Sequence, residues 1–395
     1  MSHFKTILLE SEIDLPMLLI GISILCLALI FLLINYSLKH FLLLFIGWGF
    51  GFTLFHSAFG FTGSWRNFIN ERKGNGIRSQ LLAIGLTMLL IIPFIGNESF
   101  FGSTIVGAFG PVGVSVILGS FLFGLGMQLG GGCGSGTLYT AGAGNTRMLI
   151  TLIFFILGSL LGTLHLSWWL SLPSFGVVSL SYYMNTMSTL IFQGTLLIII
   201  AMMTIYYERK GEKNISTIYS KTNTSFFKVF IFGNWPLLWG AIAIAVLSIA
   251  TLFIAGHPWS VTFAFGLWGA KIASQIGIDV SQWEYWQGSY QSQALQRSIL
   301  NDSVSLTNIG LLLGAFIASN LSSKSNSKIN ISFLQIFAAI LGGVLMGYGA
   351  RLAFGCSIGA LFSGIASGSI HGWLWLGFAF AGSYCGIKLR PCFGL

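Results

Sequence analysis

The sequence predicts an all-α, polytopic membrane protein of about nine transmembrane helices plus re-entrant or half-helices, arranged as an inverted pseudo-twofold repeat. Three observations carry that prediction. The chain is 54% hydrophobic and only 7% charged over 395 residues, whereas a soluble domain carries about a quarter charged residues. Apolar runs long enough to cross a bilayer recur from end to end, and basic residues gather in the connections between them. With mean hydropathy +0.83 and 29 charged side chains, a 42.8 kDa globule has no adequate polar coat. A soluble enzyme, a disordered protein and a nucleic-acid binder are excluded on that ground. The +9 formal charge fits the positive-inside pattern instead.

About 20 apolar residues at 1.5 Å rise cross a hydrocarbon core of about 30 Å. Such runs lie near residues 15–36, 79–96, 112–131, 148–171, 189–207, 236–255, 304–320, 333–352 and 371–388. Acidic Glu10, Glu12 and Asp14 precede the first run, so no removed signal peptide is expected. Segments 41–63 and 260–278 are apolar but interrupted by glycine and polar residues. They are expected to be re-entrant or broken, because lipid-facing backbone must be satisfied by regular helix.

Orientation follows from charge. Arg66, Arg72, Lys73 and Arg78 follow the first interrupted segment, and Arg209, Lys210, Lys213, Lys221 and Lys228 fall in the central connector. Lys324 and Lys328 mark a late loop, and Lys388 and Arg390 mark the C-terminus. Connections 97–111 and 173–188 contain no Lys or Arg, and 279–302 is net acidic. Nine crossings, with each interrupted segment returning to its own side, place every basic cluster in the cytoplasm of an inner-membrane protein. The N-terminus is then outside and the C-terminus inside.

The chain also repeats itself. GSFLFGLGMQLGGGCGSGTLYTAGAGN (119–145) aligns without gaps, at an offset of 223, with GGVLMGYGARLAFGCSIGALFSGIASG (342–368). Identities fall at Gly119/Gly342, Gly124/Gly347, Gly126/Gly349, Gly132/Gly355, Cys133/Cys356 and Gly136/Gly359. Residues 1–207 and 236–395 are read as two membrane repeats, joined by a polar cytoplasmic connector at 208–235. The helix leading into one cysteine starts outside and the other starts inside, which is the inverted-repeat plan of many transporters.

In each half an apolar helix runs into a Gly-Cys pair and then a Gly/Ser/Thr-rich segment. Close packing of small residues explains much membrane glycine, but it does not require two matched interruptions. Half-helices beginning at Gly134 and Ser357 would aim free N–H groups and positive dipole ends at an anion. Ser135, Thr137 and Ser357 would add hydroxyl donors, and the thiols of Cys133 and Cys356 are soft groups suited to a sulfur ligand. Gly132 and Gly355 precede the thiols.

Arg351 is the one arginine inside a predicted span, and its repeat-mate is Gln128. Two readings stand for it: a functional one, contact with a permeating anion, or a structural one, a salt bridge or capping of helix carbonyls. Lys271 is open in the same way, with snorkelling to the interface as its alternative. His56 reads as a hydrogen-bonded structural group. No carboxylate falls within a predicted full span, so neither a carboxylate proton relay nor a sodium site is expected. Cys385 and Cys392 have no metal-ligand spacing and no nearby histidine, so no metal and no cofactor is expected. Cys26 reads as packing.

Four stretches, GFTLFHSAFGFTGSWRNFI (51–69), GLGMQLGGGCGSGTLYTAGAG (124–144), LWGAKIASQIGIDVSQWEYW (267–286) and GYGARLAFGCSIGALFSGIASGS (347–369), resemble in order the YeeE/YedE family of membrane proteins. That resemblance implies an hourglass of helices with half-helices meeting at a waist. It also implies thiosulfate uptake past cysteines by successive S–H contacts, without a cofactor. The waist cysteines map by motif to Cys133 and Cys356. The family's N-terminal motif carries a further cysteine where this chain has Gly60. Its loss removes one soft stepping point and widens the candidate substrates to other sulfur or selenium species. The expected activity is therefore transport of a small sulfur-containing anion, not enzymatic. The alternative is a membrane component that delivers sulfur or selenium to a cytoplasmic sulfurtransferase; an ion channel is a third reading.

Overall fold

Apolar periodicity leaves this chain one way to satisfy its backbone in lipid, and helices dominate the result. The structure, a computed structural model, describes residues 14–211, 216–217, 226–322 and 331–395. Glu10, Glu12, Glu212, Lys213, Lys221, Lys324 and Lys328 lie outside the described residues.

The helices of the first part are α1 (Leu15–Asn35), α2 (Leu38–Ser57), α3 (Phe61–Glu71), α4 (Asn75–Phe94), α5 (Val114–Gly130), α6 (Gly134–Gly142) and α7 (Thr146–Leu170). Those of the second are α8 (Thr186–Arg209), α9 (Leu237–Ala255), α10 (Thr262–Gln275), α11 (Ser303–Leu321), α12 (Phe333–Leu352), α13 and α14 (Ile370–Leu389). In α13 a π-helical turn, Ser357–Phe362, runs into Ser363–Ala366. Short strands β1 (Pro111–Gly113) and β2 (Ser174–Val177) pair antiparallel. Among the described residues nine helices are long and apolar enough to cross a membrane. The protein is a multi-pass membrane protein.

Eight of the nine expected spans are among those nine; the ninth is α2 rather than α14. Segment 41–63 does break: α2 continues through Gly47, Gly49 and Gly51, stops at Ser57 and turns at Ala58 in the left-handed region (φ 47°), and α3 begins at Phe61. Those glycines serve packing. A Cβ at Gly47 would lie 2.3 Å from the Thr307 carbonyl oxygen, and one at Gly51 would meet that of Leu311. Gly310 and Gly314 return the contact against Leu44 and Trp48. The α2 and α11 backbones therefore touch, as small residues allow in lipid. Segment 260–278 does contain a short helix: α10 has 14 residues, about 21 Å at 1.5 Å rise and too short to cross. Helix α14 fills the expected 371–388 and is 20 residues long.

The packing is reciprocal. Helix α7 lies along α12 and α14 along α5; α2 lies along α11 and α4 along α9. Helix α1 covers α11, and α8 covers α4. At the centre α5 crosses α12 through glycine: Gly119 abuts Gly349 and Ala353, and Gly342 abuts Gly126 and Gly130. Gly119 and Gly342, Gly126 and Gly349, and Gly130 and Ala353 are pairs at the offset of 223, so each of these contacts is the repeat-mate of the other.

One carboxylate, Glu208, departs from the sequence expectation, and another, Asp302, stands outside its span as expected but is buried. Glu208 is buried in the last turn of α8 and pairs with Arg78 on α4 at 2.8 Å, and it also accepts from the Ser216 backbone. Asp302 is buried as the N-cap of α11, accepting from Ser305 N–H at 2.7 Å. Each has local partners, because a buried charge without them is too costly to keep. Cys26 also departs: it is exposed on α1 rather than packed inside.

Candidate functional site

Helix α5 ends at Gly131 (φ 94°), and α12 reaches its break at Phe354 (φ 57°) and Gly355 (φ 151°). Gly131 and Phe354 are repeat-mates, so both breaks turn through the left-handed region at the same place. The next glycine is required by close approach. A Cβ at Gly132 would sit 2.9 Å from Thr137 N, and one at Gly355 would sit 2.6 Å from Ala360 N. Thr137 and Ala360 are also repeat-mates.

Both cysteines then adopt the same extended conformation (φ −81°, ψ −168° for Cys133; φ −91°, ψ −167° for Cys356), and each is the N-cap of a half-helix. Their carbonyls accept the first helical hydrogen bonds, from Thr137 N at 2.8 Å and Ala360 N at 2.9 Å. Both thiols are buried. Cys356 Sγ lies against Gly134, where a Cβ would come within 2.9 Å, and Cys133 Sγ lies 3.3 Å from the same construction at Gly136. Two sulfurs from distant parts of the chain thus press on the first turn of α6. Neither faces lipid.

The hydroxyls differ in their engagement. Ser135 Oγ is 3.7 Å from Cys133 Sγ. Thr137 Oγ1 and Ser357 Oγ are buried with no hydrogen-bond partner among the described residues. An unpaired buried hydroxyl is costly, so these two atoms mark places where a polar ligand would be welcome. At the second break Ile358 N–H donates to Cys356 Sγ at 3.4 Å.

Arg351 and Gln128 hold neighbouring half-helices. Gln128 Nε2 donates to the Thr62 carbonyl on α3 (3.1 Å) and to Ser383 Oγ (2.7 Å). Arg351 donates to the Thr262 carbonyl on α10 and to Tyr285 Oη (2.9 Å), while its Nε stays unpartnered. The carbonyl-capping reading has geometric support for both. Lys271 Nζ donates to the Leu295 and Arg297 carbonyls at 2.7 and 2.6 Å. His56 is buried with its ring edge-on to Phe52.

A polar cavity of about 310 Å³ reaches Cys133 and Gly132. Gly60, Thr62, Arg66 and Tyr139 complete much of its wall. Cys356 does not line it; on that side Trp259 stacks on Phe50 with ring centroids 3.8 Å apart, and Phe362 packs edge-on to Trp259. A Cβ at Gly60 would find only Tyr139 Oη, at 3.7 Å.

Sequence reasoning missed a cationic cluster at the end of α5, beside this cavity. Arg147 donates to the Leu129 carbonyl and Arg390 to that of Gln128, at 2.5 and 2.6 Å. Two guanidiniums therefore sit on consecutive carbonyls at the end of α5, and Arg147 Nη1 approaches Gly131 on the cavity wall. Burial, with Arg66 and Arg147 nearby, pulls the Arg390 guanidinium down to about 10, which leaves it charged at neutral pH. The signal was present as isolated basic residues in three separate connections; only folding joins them.

The model of the family described as Sulphur transport matches residues 56–385. The chain belongs to this family. Its relatives include the probable transporter YedE of Escherichia coli, 31% identical over 161 residues, or 40% of this chain and 39% of that protein. The chain thus spans about two fifths of the length of the YedE relatives it matches. Thiosulfate transporter TsuA of Spirochaeta thermophila is 27% identical over 66% of this chain and 73% of its own length. TsuA of Escherichia coli is 24% identical over 86% and 92%. The names of this Sulphur transport family and of these relatives describe transporters, not enzymes.

Proposed function

We propose that this protein takes up a small sulfur-containing anion, thiosulfate in the first instance, across the inner membrane. The anion passes from Cys356 to Cys133 by successive S–H contacts and leaves through the Arg66-lined cavity. The observation that carries this reading is the pair of buried thiols, each capping a half-helix and both pressed on the first turn of α6. Half-helix N–H groups stabilise the charge, the partnerless Thr137 and Ser357 hydroxyls supply donors, and soft sulfur meets soft sulfur. Gly134, Ser135, Gly132 and Gly355 shape the passage, while Arg351 and Gln128 hold the adjoining half-helices. No cofactor or metal takes part.

On this reading residues 1–207 and 236–395 are inverted repeats joined by the connector 208–235. The reciprocal glycine contacts of α5 and α12 support an inverted repeat. The N-terminus is outside, and Arg66, Arg147 and Arg390 face the cytoplasm, where their charge draws the anion off the waist.

The test is uptake of labelled thiosulfate, sulfite, sulfate and selenite into proteoliposomes by the wild type and by Cys133→Ala and Cys356→Ala. Thiosulfate uptake by the wild type, reduced to background in both variants at equal protein level, is expected. Undiminished uptake in both removes the relay.

A second reading is favoured by the cationic cavity mouth and by the exposed Cys392 nearby in the chain. In it the protein hands sulfur or selenium to a cytoplasmic sulfurtransferase, and a persulfide trapped on Cys385 or Cys392 is the result that supports it.

A further inference from the structure

Away from the thiols, α3, α4, α8 and α14 leave an apolar groove of about 670 Å³ between them. Trp65, Phe68, Ile200, Met203, Leu376 and Phe380 form much of its wall. Three tyrosines that line it, Tyr206, Tyr207 and Tyr384, each carry a cation over the ring. Lys210 lies 4.6 Å from the Tyr206 centroid, Arg72 5.2 Å from that of Tyr207, and Lys388 5.6 Å from that of Tyr384.

These cations come from the C-terminal ends of three different helices. Arg72 is the C-cap of α3, Lys210 the C-cap of α8, and Lys388 lies in the last turn of α14. The Arg72 side chain lies against Gly211, which brings the ends of α3 and α8 together. Among the described residues none of the three pairs with a carboxylate; the nearby Glu71 is taken by Lys73 at 2.8 Å and Glu208 by Arg78 at 2.8 Å. Lone snorkelling cations need no common groove. Here an apolar groove ends in three cations that, among the described residues, have no carboxylate partner and lie over amphipathic rings, which complements a molecule with a hydrocarbon tail and an anionic head.

We propose that this groove is a binding site for an anionic phospholipid, its acyl chain along Trp65, Phe68 and Phe380 and its headgroup phosphate among Arg72, Lys210 and Lys388. Basic pockets between membrane helices recognise such headgroups by charge. Helix α3 separates the groove from the polar cavity, with Trp65 on one side and Arg66 on the other, so the lipid buttresses the wall of the cavity. The inference is independent of what the cavity carries.

The experiment is native mass spectrometry of the full chain reconstituted with phosphatidylglycerol and phosphatidylethanolamine in equal amounts. The wild type is expected to retain phosphatidylglycerol preferentially, and each of Arg72→Gln, Lys210→Gln and Lys388→Gln to lower that preference about fivefold. Gly377→Phe enters open space on the groove wall and is expected to abolish retention of either lipid while the protein keeps its thermal midpoint. Equal retention of both lipids by the wild type, or a preference unchanged in the triple variant or in Gly377→Phe, overturns the proposal. Uptake is not the readout, so this inference and the transport reading fail separately.

Discussion

The two cysteine breaks share a backbone and differ in everything around it. At the first, Cys133 sits on the wall of a polar cavity with Arg66 in view. At the second, Cys356 is closed off near a Phe50–Trp259 stack, and the arginine of its helix is spent on a carbonyl and a tyrosine. Matched cysteine dihedrals, matched glycine contacts and matched first hydrogen bonds give the two breaks a common local structure. Access is a separate property, decided by which side chains the neighbouring helices bring. The difference teaches that a repeat can fix two sites chemically while setting only one of them beside a cavity.

The largest effect that would break this comparison is a reversal of thiol access. A charged thiol reagent should modify Cys133 at least about a hundredfold faster than Cys356, since local opening of even about 3 kcal/mol imposes that ratio. Single-cysteine variants followed by mass spectrometry give the rates; equal rates mean that the second site is not closed.

Alanine at the paired glycines should sharpen the comparison next. Gly132→Ala forces a Cβ against Thr137 N and is expected to cost about 1–3 kcal/mol. Gly355→Ala meets a closer contact and also a φ of 151° that only glycine tolerates, so its loss should be larger by about 1 kcal/mol or more. Thermal midpoints in detergent check the order.

Arg351→Gln should cost about 1–3 kcal/mol through the freed Thr262 carbonyl and Tyr285 hydroxyl. A structural cap lowers the thermal midpoint and leaves KM for the anion unchanged. A raised KM at constant midpoint instead assigns the arginine to the permeating ion.

The smallest effect is expected at Gly60→Cys, where the space is open. Stability should move by no more than about 0.5 kcal/mol, and the new thiol should label from the cavity as readily as Cys133. A stability loss well above that value would show that the wall at Gly60 is tighter than its nearest contact implies.

Much of this was readable in one dimension. The positions of eight spans followed from apolar run length, and the paired breaks followed from Gly-Cys repeats at one offset, because both are local in sequence. The break in 41–63 was legible as well, but not its place after Ser57, since the glycines of α2 let two helices touch instead of interrupting the helix. The expectation of carboxylates only in loops failed at Glu208, whose burial depends on an arginine 130 residues away.

Sequence by itself determined that this chain lives in lipid, that it is helical, and where its helices stop. Those are matters of hydrophobic run length and backbone freedom, which each residue carries with it. Only the tertiary structure decided that both thiols press on one short helix, that Arg147 and Arg390 gather at the end of α5 near Arg66, and that one buried thiol lies beside a polar cavity while its twin does not. Such facts depend on which distant side chains meet, and no local pattern encodes them.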